Sequence, residues 1–229
     1  MIMKRKEKNV MKEKEAEAVS IIEGADGPTS IFVAGKSKTK KKSLKEHARQ
    51  CIYKYRCKKA EKRICANPHT LEEVAVYANK KYDAAEIPKT QKKYAEQYAS
   101  LREGLIIMHK PELLGILGEI ACPDVLNEES AKEMYHKIQF RSEMIANIPD
   151  HEMPMDFHIY EISMEDGCLE MEIDFMWDIF GMSYSGNKKT MKKLKKVVWD
   201  LYMYYGVSEE DIKNKTKRYS SLLTVLSSK

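Results

Sequence analysis

His47 and Cys51 lie one helical turn apart, and Cys57, Cys65 and His69 follow them, so the side chains for a zinc site are present in one stretch of the chain. Their spacings match no common zinc finger. Thiols scattered through a lysine-rich stretch read more simply as small apolar fillers or free cysteines. The five cysteines are odd in number and form no Cys-x-x-Cys pair, a pattern of reduced thiols rather than a disulfide framework. His109, His136 and His151 have no sequence neighbour that would pair with them as nucleophile or base. The sequence therefore offers no catalytic residue, metal ligand or cofactor site, and whether the chain is an enzyme stays open.

Anions are better served. Gly181-Met-Ser-Tyr-Ser-Gly186-Asn187-Lys188 approaches the phosphate loop G-x-x-x-x-G-K-[ST], but Asn187 stands where that loop has its lysine. What remains is a crowd of Lys188, Lys189, Lys192 and Lys193 over the first turns of an expected helix, where the helix dipole is already positive. Such a start welcomes an anion, a phosphate or a nucleic-acid backbone, or else forms a solvated lysine face. A second basic region is larger. From Lys36 to Arg63 there are 13 Lys/Arg against Glu46 and Glu61. Between Ile64 and Asn187 the balance reverses, with 23 acidic residues against 10 basic ones. The chain is thus electrically divided, although its overall net charge is only +5.

The elements that must position these charges can be read in outline. The composition suits an α+β chain, mostly helical, with one small antiparallel sheet built on a hairpin at about 157–164 and 168–176. Residues 1–20 form a charged arm, read as a solvated helix or as disordered chain. Residues 37–66 read as a basic amphipathic helix, with Leu44, Ala48, Cys51, Ile52, Tyr55 and Ala60 near helical spacing and Lys45, Arg49, Arg56, Lys59 and Arg63 mostly elsewhere. Residues 67–229 make the globular α+β domain. In it Thr70 and Glu73 form a capping box. Tyr94, Tyr98, Leu101, Leu105 and Met108 stripe one helix, and Ala131, Met134, Tyr135, Ile138 and Ile145 face inward on another.

The hairpin is the sharpest local signal. Leu169 to Phe175 alternates strictly, and Asp166-Gly167 is the dipeptide favoured at the centre of a type I′ turn. That turn pairs Met164 with Leu169, Ile162 with Met171 and His158 with Phe175. One face becomes apolar, and Glu161, Glu170, Glu172 and Asp174 give the other a solvated acidic surface or, less simply, a cation-binding one.

Residues 21–36, IIEGADGPTSIFVAGK, interrupt this pattern with a breaker-rich turn. Gly24 and Gly27 permit positive φ, Asp26 can cap the turn, and Pro28 fixes φ before Thr29. Ile31, Phe32 and Val33 would then anchor the segment on the core, while ligand contact and ion coordination stay open for Gly24, Asp26, Gly27, Pro28 and Thr29. The segment resembles the signature GGADGPT-x-IF of the β subunit of the sodium-translocating carboxylic-acid decarboxylases, a polytopic membrane protein that couples loss of CO2 to sodium export. Glu23 stands at the family's first glycine. The resemblance implies a broken helix at membrane depth and a part in sodium handling for Asp26. There, surrounding helices shield the unwound loop from lipid. Here the longest apolar runs, such as Leu105 to Met108, fall far short of the roughly 18 residues that a span requires. The remainder resembles soluble proteins that would take the same label from this signature alone.

Glu13, Glu15 and Glu17 sit where a signal peptide needs apolar residues, so the expected location is the cytoplasm, without membrane insertion. The expected function is a soluble binding or adaptor protein. The alternatives are a nucleic-acid binder using 36–63 and the lysines of 188–196, with Tyr53 and Tyr55 to stack on bases, and an accessory component of a sodium-translocating decarboxylase. The partner is then a protein or a nucleic acid.

Overall fold

The computed structural model describes residues 19–22, 44–120 and 127–228. In chain order the elements are β1 Val19–Ile22, α1 Leu44–Glu61, α2 Leu71–Tyr82, β2 Ala85–Glu86 and α3 Lys92–His109, followed by a 3-10 segment, Pro111–Leu117. Then come α4 Glu128–Ala146, β3 Phe157–Met164, β4 Gly167–Asp174, β5 Ile179–Gly186, α5 Lys188–Tyr205, α6 Glu209–Asn214 and α7 Lys217–Ser227. The strands form one antiparallel sheet in the order β1-β5-β4-β3-β2. This is the α+β class, mostly helical, that the patterning predicts. Among the described residues no helix is long and apolar enough to cross a membrane.

Both faces of the sheet are covered. On one, Ile162, Leu169, Met171, Ile173, Phe180 and Met182 pack against the buried stripe of α5, Leu194, Val198, Leu201, Tyr202 and Tyr205, with α2 and α7 completing the layer. Each large side chain removed from water here contributes about 1.5–3 kcal/mol. On the other face, α3 lays Tyr94 and Tyr98 over Phe157 and Ile159, and Leu105 and Ile106 continue the layer toward Ile145 of α4. Local chemistry starts the helices where the sequence says. The Thr70 hydroxyl accepts from the Glu73 N–H at 3.3 Å, and the Glu73 carboxylate accepts from the Thr70 N–H at 2.8 Å. Asn127 with Ser130 and Ser208 with Asp211 repeat the device on α4 and α6.

Four expectations are corrected. The hairpin turns through Glu165-Asp166, so Met164 pairs with Gly167, Ile162 with Leu169, Tyr160 with Met171 and His158 with Ile173. This register is two residues from the expected one, which leaves every side chain on its expected face. The reason lies across the sheet: Gly167 sits opposite Gly186, and a Cβ on it would lie 2.2 Å from the Ser185 carbonyl oxygen. Gly167 serves close packing against β5, and neither Glu165 nor Asp166 has the positive φ of a type I′ turn.

Second, the acidic face is not solvated, because α3 covers it. Third, α1 packs on α7 near its end but leaves Ile52 and Tyr55, with Ala48 and Cys51, exposed; Ala60 is buried. Fourth, Tyr135 and Ile138 of α4 face solvent although Ile145 on the same stripe is buried. The charged arm also yields Val19 and Ser20 to β1, which pairs with β5. Gly24, Asp26, Gly27, Pro28 and Thr29, with Ile31, Phe32 and Val33, lie outside the described residues.

Candidate anion-binding surface

Arg63, the last residue of one basic region, meets the lysines of the other, more than a hundred residues away in sequence. Gly181 to Gly186 is regular strand, which is why it forms no phosphate loop. At its end the Asn187 side-chain oxygen accepts from the N–H groups of both Lys189 and Thr190, at 2.9 Å each, and starts α5. Thr190, Leu194, Val197, Val198 and Leu201 then turn inward, so Lys188, Lys189, Lys192, Lys193 and Lys196 must turn outward, and all five are exposed. Among the described residues none of these lysines pairs with a carboxylate within 4.0 Å, nor do Arg49, Lys59 or Arg63.

Lys192, Lys195 and Trp199 follow at spacings that keep them on one face of α5. Just beyond the end of α1, Arg63 places its guanidinium over the Trp199 ring, 5.0 Å from the centroid. Between these groups and α7 lies a cavity of about 520 Å³. Its walls are Tyr184, Val198, Trp199 and Val225, and Arg63, Lys192, Lys195 and Lys196 line it as well. Burial pushes the Tyr184 phenol upward, so it stays neutral. The Trp199 indole nitrogen is buried and has no hydrogen-bond partner among the described residues. Farther along α1, Arg49, Gln50, Tyr53 and Lys54 line a shallower depression. Tyr53 in this depression and Tyr55 elsewhere on α1 are 51% and 69% exposed.

Of the residues singled out in the sequence, then, Arg63 and Lys192 are brought to one cavity. Lys188, Lys189 and Lys193 lie on the same helix, and Arg49, Arg56 and Lys59 lie along α1. Lys45 belongs to α1 too. Trp199, Tyr184 and Val225 are not legible as site residues in the sequence. The spacing from Lys192 and Lys195 to Trp199 is the one signal that could have singled out the indole.

The remaining charged clusters pair largely within themselves. Glu161, Cys168 and Glu170 bring ligand-type atoms within 4.8 Å of one another. The Lys93 ammonium, however, stands at 3.0 Å from Glu161 and 2.8 Å from Glu170. Burial opposes the Lys93 charge, but hydrogen bonds to Glu170 and Glu161 outweigh it and hold its pKa above the usual lysine value. His158 bridges Glu86 at 2.6 Å and Asp156 at 3.0 Å, a contact that sequence reading missed because β2 supplies one carboxylate. His69 stacks on Tyr204, which stacks on Tyr77. In a polar cleft beside it, Arg218 donates to the carbonyls of His69, Tyr205 and Gly206. Asp200 accepts from Lys81, Tyr77 and Tyr82. Burial opposes its ionisation, but these hydrogen bonds outweigh it and hold its carboxyl below the usual range.

Comparison with protein families, with curated proteins and with solved structures finds no match to this chain.

Proposed function

We propose that this is a binding protein whose ligand is a single-stranded nucleic acid, held along α1 and the exposed face of α5. The observation that carries the reading is the meeting of Arg63 with Lys192, Lys195 and Lys196 at one cavity, next to a helix α1 that carries exposed aromatic rings among its basic side chains. A phosphate backbone supplies the missing negative charge, and Tyr53 and Tyr55 offer rings on which unpaired bases can stack. Glu161 and Glu170 on the acidic face of the sheet are neutralised by Lys93 rather than by these cations.

The test is a salt series on binding of a labelled oligonucleotide to the full chain. Affinity should fall linearly with salt on logarithmic axes, and replacing Arg49, Lys59 and Lys192 by Gln should flatten the slope by about two units, roughly 0.7 per lost contact. An affinity indifferent to salt, or no binding at low salt, would refute the reading.

A protein partner is the second reading, favoured by α4. That helix exposes Tyr135, Ile138 and Phe140 at 60%, 37% and 57%.

A further inference from the structure

We propose that the cavity between α5, α7 and the end of α1 is a site for a small amphipathic anion, a molecule with an apolar body and a single carboxylate or phosphate head. This goes beyond the nucleic-acid reading, because it requires no strand. Its volume of about 520 Å³ lies within the range that encloses one small ligand. The walls specify an apolar body: Val198, Val225 and the Trp199 and Tyr184 rings surround it. A nucleobase suits such walls poorly, since its donor and acceptor edges would be buried with few partners.

The other lining side chains specify the head group. Arg63 follows the end of α1 and Lys192, Lys195 and Lys196 belong to α5, and among the described residues no Asp or Glu lines the cavity. Lysine and arginine stems cover apolar surface while their charged ends remain at its margin, an arrangement that matches a ligand whose tail enters and whose head stays at the mouth. Charge-assisted hydrogen bonds from these groups would favour the ionised head over a neutral one of the same length.

Decanoate, decyl phosphate, decanol and inorganic phosphate serve as probes. In the Trp177→Phe variant Trp199 is the remaining indole, so its emission reports the cavity directly; calorimetry on the unaltered chain supplies the same affinities without any substitution. Decanoate and decyl phosphate should shift the Trp199 emission saturably and bind about tenfold or more tightly than decanol, with inorganic phosphate leaving the emission unchanged. The Lys192→Glu/Lys196→Glu variant, altered only at exposed positions, should bind decanoate about tenfold more weakly while its melting stays the same. Equal affinity for decanol, no saturable response, or unchanged decanoate binding in the charge-reversed variant would each overturn the assignment.

Discussion

The acidic face of the sheet and the basic surface of α1 and α5 each gather charge of one sign, yet they are built in opposite ways. On the sheet, Glu161 and Glu170 lie directly across from each other on β3 and β4, and α3 closes over them with Lys93 reaching both. On α5 the lysines crowd together, none within 4.0 Å of a carboxylate among the described residues, beside an apolar cavity. Charge satisfied inside the fold is part of its architecture. Charge left unpaired at the mouth of a cavity is available to a ligand, and this difference, rather than net charge, separates structural from functional groups here.

The largest effect should come from removing the cation that closes the acidic face. Lys93→Met leaves two facing carboxylates under α3, and we expect a loss of about 2 kcal/mol, below the roughly 3–5 kcal/mol of a fully buried broken pair because about a third of the lysine side chain is exposed. Urea unfolding measures it. Adding Glu161→Gln and Glu170→Gln to that variant should restore much of the loss. A neutral Lys93→Met would break the contrast, since the acidic face would then be as indifferent to pairing as the basic one.

A subtler test uses pH. Burial pushes the Glu172 carboxyl upward, helped by the charge of Glu170 and opposed by that of Lys93. The folded protein therefore holds this proton to higher pH than the unfolded chain. Its contribution to stability is present below the unfolded value of about 4.3 and is lost as pH rises through the raised folded value. Glu172→Gln should remove that decline and stabilise the protein at neutral pH, with the gain vanishing in acid. Unfolding curves at several pH values would show it, and a gain of equal size at all pH values would point to packing instead.

How far the sequence reveals this arrangement depends on the range of the interaction involved. The alternation in β4 and the Thr70–Glu73 cap are local, and both are legible residue by residue. The hairpin register is not, because Gly167 answers to Gly186 on another strand rather than to its own turn. Helical spacing names the apolar face of α1 and of α4 but cannot say what covers it, hence the exposure of Ile52, Tyr55, Tyr135 and Ile138. The lysines of the candidate site are plain in the sequence. Their meeting with Arg63 over Trp199 depends on how the end of α1 lies against α5 and α7, a long-range arrangement without a local signal.

The smallest expected effect carries the sharpest sign. Lys189 occupies the first turn of α5, where its backbone N–H is already held by Asn187 and its ammonium adds positive charge to the positive end of the helix dipole. Replacing it should therefore help folding. Lys189→Glu puts a carboxylate in the favoured position at the helix start and four residues ahead of Lys193, an arrangement worth about 0.3–1 kcal/mol from the dipole and a few tenths more from the pair at low salt. The same change should weaken oligonucleotide binding, because it subtracts a cation from the surface and adds an anion. Opposite signs in the two measurements are what an unpaired, ligand-facing charge requires, and both should shrink together as salt is raised. If instead Lys189→Glu lowers stability at every salt concentration, the lysine serves the fold, and the distinction between the two charged regions fails at this position.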